Sequence, residues 1–116
     1  MMAGIELTYF GGYAPIQAWG TVNGRRFYFR ARWDTWRFEI GKRDVEVPTR
    51  ERQAIEFIRE GEFAPDAGHE EMAIEIVACF RAYFAEVQDT NVEQQLEDLA
   101  GQLRASLKRE VSQDND

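Results

Sequence analysis

The dipeptide Asn23-Gly24 constrains this chain more than any other feature. Asn-Gly supplies the two positive φ angles of a type I′ turn, so the alternating runs on either side, Ile16–Val22 and Arg25–Ala31, are predicted to pair as a two-residue hairpin. The turn also sets the register. Val22 then faces Arg25, Gly20 faces Phe27, Ala18 faces Phe29 and Ile16 faces Ala31, gathering the apolar set on one side. The opposite side carries Gln17, Trp19, Thr21, Arg26, Tyr28, Arg30 and Arg32.

Two further strands extend this hairpin. Trp36–Gly41 returns after a short Asp34-Thr35 connection, with Phe38 and Ile40 inward and Arg37 and Glu39 outward; this register sets Arg30 opposite Glu39 and Arg32 opposite Arg37. Upstream, Ile5–Phe10 alternates Ile5, Leu7 and Tyr9 against Glu6, Thr8 and Phe10, and Gly11-Gly12 with Pro15 separates it from the hairpin. After Pro48 the period changes from 2 to 3.6. A first helix is predicted over Thr49–Glu60, with Thr49 as N-cap, Ala54, Ile55, Phe57 and Ile58 on its apolar face, and Gly61 as its stop. A second, His69–Gln88, carries a wide stripe from Met72 to Val87 and is the one expected to lie across the sheet. Thr90 and Glu93 have capping-box spacing and open a third helix over Asn91–Val111, with a sparse stripe of Val92, Leu96, Leu99, Leu103, Leu107 and Val111 that resembles a short coiled-coil seam. The expected architecture is an α+β fold: a four-stranded antiparallel sheet, then three helices, with the sheet packed on the second. Residues 1–111 make one domain, and 112–116 form a tail expected to fray.

Composition narrows the function classes. A net charge of −7 disfavours direct nucleic-acid binding, which needs a cationic surface. No apolar run is long enough to span a bilayer, and Met1–Glu6 has neither the basic nor the apolar region of a signal peptide, so a cytoplasmic protein with no membrane partner is expected. Cys79 and His69, the single cysteine and histidine, lie ten positions apart on one predicted helix. At 1.5 Å per residue that separates them by ~15 Å, too far for a nucleophile and its base. With one of each, the usual Cys/His zinc site cannot form. Glu71 and Glu75, with Glu70 or Asp66 nearby, could approach a hard cation, but they read as a solvated face. No glycine-rich phosphate loop occurs. The expectation is a protein without catalytic residues, metal or cofactor.

Two surfaces stand out instead. Residues 60–103 carry eleven acids against the single Arg81, a net −10, while residues 1–43 carry net +4. Like charges four apart on a helix, such as Glu71/Glu75 and Glu93/Glu97, repel, so something offsets or uses that repulsion: the block reads either as a solubilising surface or as a partner-binding surface made of Glu70, Glu71, Glu75, Glu86, Asp89, Glu93, Glu97 and Asp98. The second surface is the outward sheet face with Trp19, Arg26, Tyr28, Arg30, Arg32 and Arg37, residue types that dominate binding hot spots. Either that face is open to a partner or a helix folds over it and pairs its arginines.

The stretch GTVNGRRFYFRARWDTWRFEIG, residues 20–41, resembles a hairpin of small uncharacterised proteins from proteobacteria and their phages, in which an N-G turn precedes an F-Y-F-R-A-R strand and a W-x-F-E-I strand. The resemblance covers about a fifth of the chain and carries over no functional residues. In size, acidity and lack of catalytic groups the chain also resembles, in kind, phage-encoded inhibitors of the anti-CRISPR type, which occlude nuclease or surveillance complexes. That resemblance implies a non-enzymatic inhibitor whose acidic block occupies a basic, nucleic-acid-binding groove of a host protein. The alternatives from the residues themselves are a homodimerisation module using the third helix or the Trp19/Tyr28 face, and a small-anion-binding domain using Arg26, Arg30, Arg32 and Arg37.

Overall fold

A computed structural model describes residues 4–64 and 66–114, with side chains described through Arg109. Five strands, β1 (Ile5–Gly11), β2 (Ile16–Val22), β3 (Arg25–Arg32), β4 (Thr35–Gly41) and β5 (Ile55–Glu62), form one antiparallel sheet in sequential order, followed by two helices, α1 (His69–Val87) and α2 (Val92–Asp114). The side chain of Val111 and, in the tail, Asn115 and Asp116 lie outside the described residues.

The Asn23-Gly24 turn has positive φ at both residues (50° and 81°), and β2 pairs β3 in the register that the turn dictates, from Val22↔Arg25 to Ile16↔Ala31. Elsewhere the structure corrects the sequence reading. The sheet has five strands rather than four, and the helices number two rather than three. Where a helix is predicted over Thr49–Glu60, the chain makes only a short 3₁₀ turn at Arg52–Ala54 and then enters β5. Ile55 fits a strand period with Phe57 as well as a helical one with Ile58. Pairing with the otherwise open edge of β4 buries Ile55 and Phe57 and satisfies the backbone groups along the β4–β5 seam. Gly61 is therefore no helix stop: a Cβ there would lie 2.6 Å from the Trp36 indole, so glycine makes the slot in which Trp36 packs.

Two local shifts alter which side chains face where. A bulge at Thr8, between Leu7 and Tyr9, resets the alternation of β1, so Phe10 enters the core and Tyr9 turns outward beside Trp19. The β3–β4 turn is Trp33-Asp34, one residue earlier than Asp34-Thr35, which places Arg30 opposite Arg37, Tyr28 opposite Glu39 and Arg32 opposite Thr35.

Both helices pack on the same face of the sheet. Phe80 of α1 meets Phe27 and Phe38 edge-on at 4.9 and 5.0 Å, and Tyr83 meets Phe57 at 5.3 Å. Gly68 donates its N–H to the Glu71 carboxylate (2.6 Å) at the start of α1, where a negative charge also suits the helix dipole. His69 contacts the Gly12 carbonyl through Nε2 (2.8 Å) and meets the rings of Phe10 and Tyr13, a structural placement that ties α1 to the end of β1. The leucines of α2 are spent inside the chain: Leu96, Leu99 and Leu103 are buried in the common core. Its polar residues cover the free edge of β1. Gln102 accepts from Leu7 N–H (2.7 Å) and donates to Ile5 O (2.9 Å), while Ser106 accepts from Phe10 N–H and donates to Phe10 O. An edge strand that would otherwise offer its backbone to another chain is thus closed by side chains. The opposite edge, β5, carries Glu56, Arg59, Glu60 and Glu62.

Candidate functional site

The outward sheet face is open, because neither helix crosses it. Its centre is a ladder of rings contributed by three strands: Tyr9 stacks on Trp19 at 4.6 Å, and Trp19 on Tyr28 at 6.5 Å. The register of β1 and β2 with their neighbours, including the bulge at Thr8, places these rings in line. Trp19 remains 38% exposed. Tyr28 donates its hydroxyl hydrogen to Gln17 Oε1, and burial is the main cause that pushes its phenol above the ordinary range, with Arg30 opposing and Glu39 reinforcing. It stays a neutral phenol.

The arginines of this face are held differently. Arg26 pairs with Glu46 (2.6 Å), an exposed pair. Arg37 bridges two carboxylates, Glu39 through Nε (2.8 Å) and Glu60 through an amino group (3.1 Å), and its hydrogen bond to Glu39 leads the interactions that raise its pKa. Glu39 itself is 2% exposed although it lies on the open face, because the loop after β4 folds back over it and Thr49 N–H reaches its second oxygen at 3.4 Å. Arg30 and Arg32 make no ion pair or hydrogen bond among the described residues. Arg32 lies over the indole of Trp33, 5.2 Å from the centroid. Trp33 sits at the tip of the β3–β4 turn with φ 65° and is 77% exposed. A bulky residue in the left-handed region, with its ring in water, is strained and unprofitable for the isolated fold.

Trp33, Tyr9 and Arg50 also belong to this surface: Trp33 lies under Arg32, Tyr9 on Trp19, and Arg50 beside Arg30 and Arg37. For Trp33 the signal was present in the sequence, a tryptophan beside a charged turn, but the turn position hid it. Tyr9 was hidden by the bulge and Arg50 by the helix expected around it.

The eight carboxylates of the acidic block do not form one continuous unpaired surface. Glu86 pairs with Arg59 of β5 (3.5 Å), Glu93 with Arg81 (2.5 Å), Glu71 with the start of α1, Asp89 with Asn23 Nδ2 (3.2 Å) and Thr90 N–H, and Asp98 with Gln94. Arg81 thereby holds the Glu93 carboxyl below its usual range, and Glu93 serves this bridge from α2, which begins at Val92. Glu70, Glu75 and Glu97 remain without such partners among the described residues.

Cys79 is buried on α1, and burial above all, with Glu75 adding to it, pushes its thiol up to about 12, so it is neither thiolate nor nucleophile at neutral pH. Among the described residues no cluster of three His, Cys, Asp or Glu side chains could hold a metal ion, and no helix is long and apolar enough to cross a membrane. No protein-family model, curated protein or solved structure matches the chain.

Proposed function

We propose that the protein is a non-catalytic binding module that acts in the cytoplasm by occupying the surface of a protein partner, with the open sheet face as its recognition surface. One observation carries this reading. Both helices pack on one face of the sheet, while the other presents the Tyr9–Trp19–Tyr28 ladder, the exposed Trp33, and Arg30 and Arg32, which have no counter-charge among the described residues. Tryptophan, tyrosine and arginine supply large contact area and directional donors at little cost in side-chain entropy, which is why they anchor interfaces. The partner that suits them offers an apolar patch edged by carboxylates. Occlusion of that patch, the mode of the small phage-encoded inhibitors that the chain resembles in kind, is the expected consequence.

The acidic block supports a basic partner less well, since five of its eight carboxylates are engaged within the fold. Three immobilised proteins decide between the surfaces: the natural chain, a W19A/R32E variant, and a variant with Glu70, Glu75 and Glu97 changed to Lys. Each is offered the same host-cell lysate, and circular dichroism checks that all three are folded. A captured protein lost only from W19A/R32E supports the sheet face. Loss only from the lysine variant would transfer the function to the helical acids.

A further inference from the structure

At one end of the open face, β3, β4 and the loop after β4 enclose a cleft of ≈ 620 Å³ lined by Tyr28, Arg30, Arg37, Glu39, Thr49 and Arg50, with Pro48 in its wall. We propose that this cleft is a binding site for a phosphate group, as the free dianion or as the terminal phosphate of a small ester. It does not depend on the open face taking a protein partner.

The cleft is built by contacts distant in sequence. Register sets Arg30 directly opposite Arg37, two like charges on neighbouring strands, an arrangement that destabilises a sheet unless an anion lies between or beside them. Arg37 is compensated and fixed by Glu39 and Glu60. Among the described residues Arg30 has no such partner, and neither has Arg50, which the loop brings to the same cleft. Glu39 acts as the post that holds this geometry: buried on the sheet, it grips Arg37 with one oxygen and Thr49 N–H with the other, so strand and loop are tied across the floor.

The donor inventory matches a tetrahedral oxyanion. Arg30, Arg37 and Arg50 against Glu39 and the Glu60 carboxylate held on Arg37 leave a net charge of +1, carried by Arg30 and Arg50, and a phosphate monoester carries about −1.5 to −2 at neutral pH. The guanidinium forks of Arg30 and Arg50 are uncommitted, and a fork can grip two phosphate oxygens at once. Thr49 Oγ1 accepts from Glu51 N–H (3.1 Å), which leaves its hydroxyl hydrogen free to donate. Tyr28 is no donor here, since its hydrogen is directed to Gln17; its ring instead forms an apolar wall that continues into the Trp19 stack. An ester's organic portion would extend along that wall.

The test is titration of the full chain with inorganic phosphate and, separately, with phenyl phosphate, following the arginine Nε–H resonances by nuclear magnetic resonance. Saturable shifts at Arg30 and Arg50 are expected with at least one probe. Arg30→Gln and Arg50→Gln should each weaken binding ~10-fold or more, the usual effect of deleting a charge-assisted bond. Trp19→Ala should leave inorganic phosphate binding unchanged while impairing capture of a protein partner, so the two functions fail separately. Saturation by both probes indicates a site for the phosphoryl group itself, and by phenyl phosphate alone a site for esters; both support the proposal. It is overturned if neither probe saturates by about 10 mM, or if Arg30→Gln binds as the natural chain does while its thermal unfolding shows it intact.

Discussion

The two faces of this sheet are written by the same strands, yet they are completed in different ways. On one face Phe27 and Phe38 meet Phe80 of α1 and Phe57 meets Tyr83, and rings of the central strands are shut from water. On the other, three stacked rings and two arginines have neither ion pair nor covering helix among the described residues. Alternation gives each strand two sets of side chains. The helices satisfy the first set. The second is left to whatever the molecule meets, which makes the contrast between the faces a statement about function as well as packing.

The strongest way to break that contrast is to truncate one ring on each face. Phe80 is fully buried and touches Phe27, Phe38 and Phe84, so Phe80→Ala should cost about 3–5 kcal/mol, as large aromatic deletions in cores do. Trp19→Ala loses two exposed stacking contacts and should cost about 1 kcal/mol. Urea unfolding of both variants measures the difference. If Trp19→Ala proved as damaging as Phe80→Ala, the open face would be a second core and not a binding surface.

Cys79 sharpens the covered side through pH. Burial raises its thiol from the ordinary 9.0 to about 12, so in the unfolded chain it loses its proton first. Between those values the unfolded state binds fewer protons than the folded one, and stability must fall as pH rises. The loss attributable to this thiol should begin near pH 9 and reach roughly 4 kcal/mol by full titration. Tyrosines titrate in the same window, so the measurement is the difference in denaturant midpoint between the natural chain and Cys79→Ala from pH 8 upward. Parallel curves would show that the thiol is not buried as described. At neutral pH the same burial predicts slow alkylation that accelerates only on unfolding.

The sequence was most legible where contacts are local. Asn23-Gly24 determines its own turn and, through it, the facing of fourteen residues; His69–Val87 announces itself by a wide stripe. What was not legible depends on partners far along the chain. Ile55 fits a strand period with Phe57 and a helical one with Ile58, and only the free edge of β4 decides for a strand. The bulge at Thr8 changes a register that alternation alone would continue. Gln102 and Ser106 look like gaps in a leucine seam until the edge of β1 is brought against them. The candidate site divides the same way. Trp19 opposite Tyr28 follows from the turn, whereas the Arg30–Arg37 juxtaposition follows from a hairpin tip that places strained Trp33 where a glycine would sit more easily. Likewise, the acidic block looked like uncompensated repulsion because Arg59 and Asn23 are remote in sequence from Glu86 and Asp89.

The smallest expected effect separates the faces most finely. On a face that serves only the fold, removing a charged side chain should be neutral or harmful. Arg30 stands opposite Arg37 and has no counter-ion among the described residues, so Arg30→Gln should raise stability by a few tenths of a kcal/mol at low ionic strength. The gain should shrink as salt screens the pair. Arg81, on the helical side, is the control: it bridges to Glu93 on an exposed surface, and Arg81→Gln should be neutral or slightly destabilising under the same conditions. Chemical unfolding at two salt concentrations resolves the opposite signs. A loss of stability in Arg30→Gln would mean that the fold uses this arginine, and the open face would then owe its charge to structure. A gain means that the isolated protein bears a repulsion it could shed by a single substitution, the outcome expected if Arg30 serves an anionic group outside the fold.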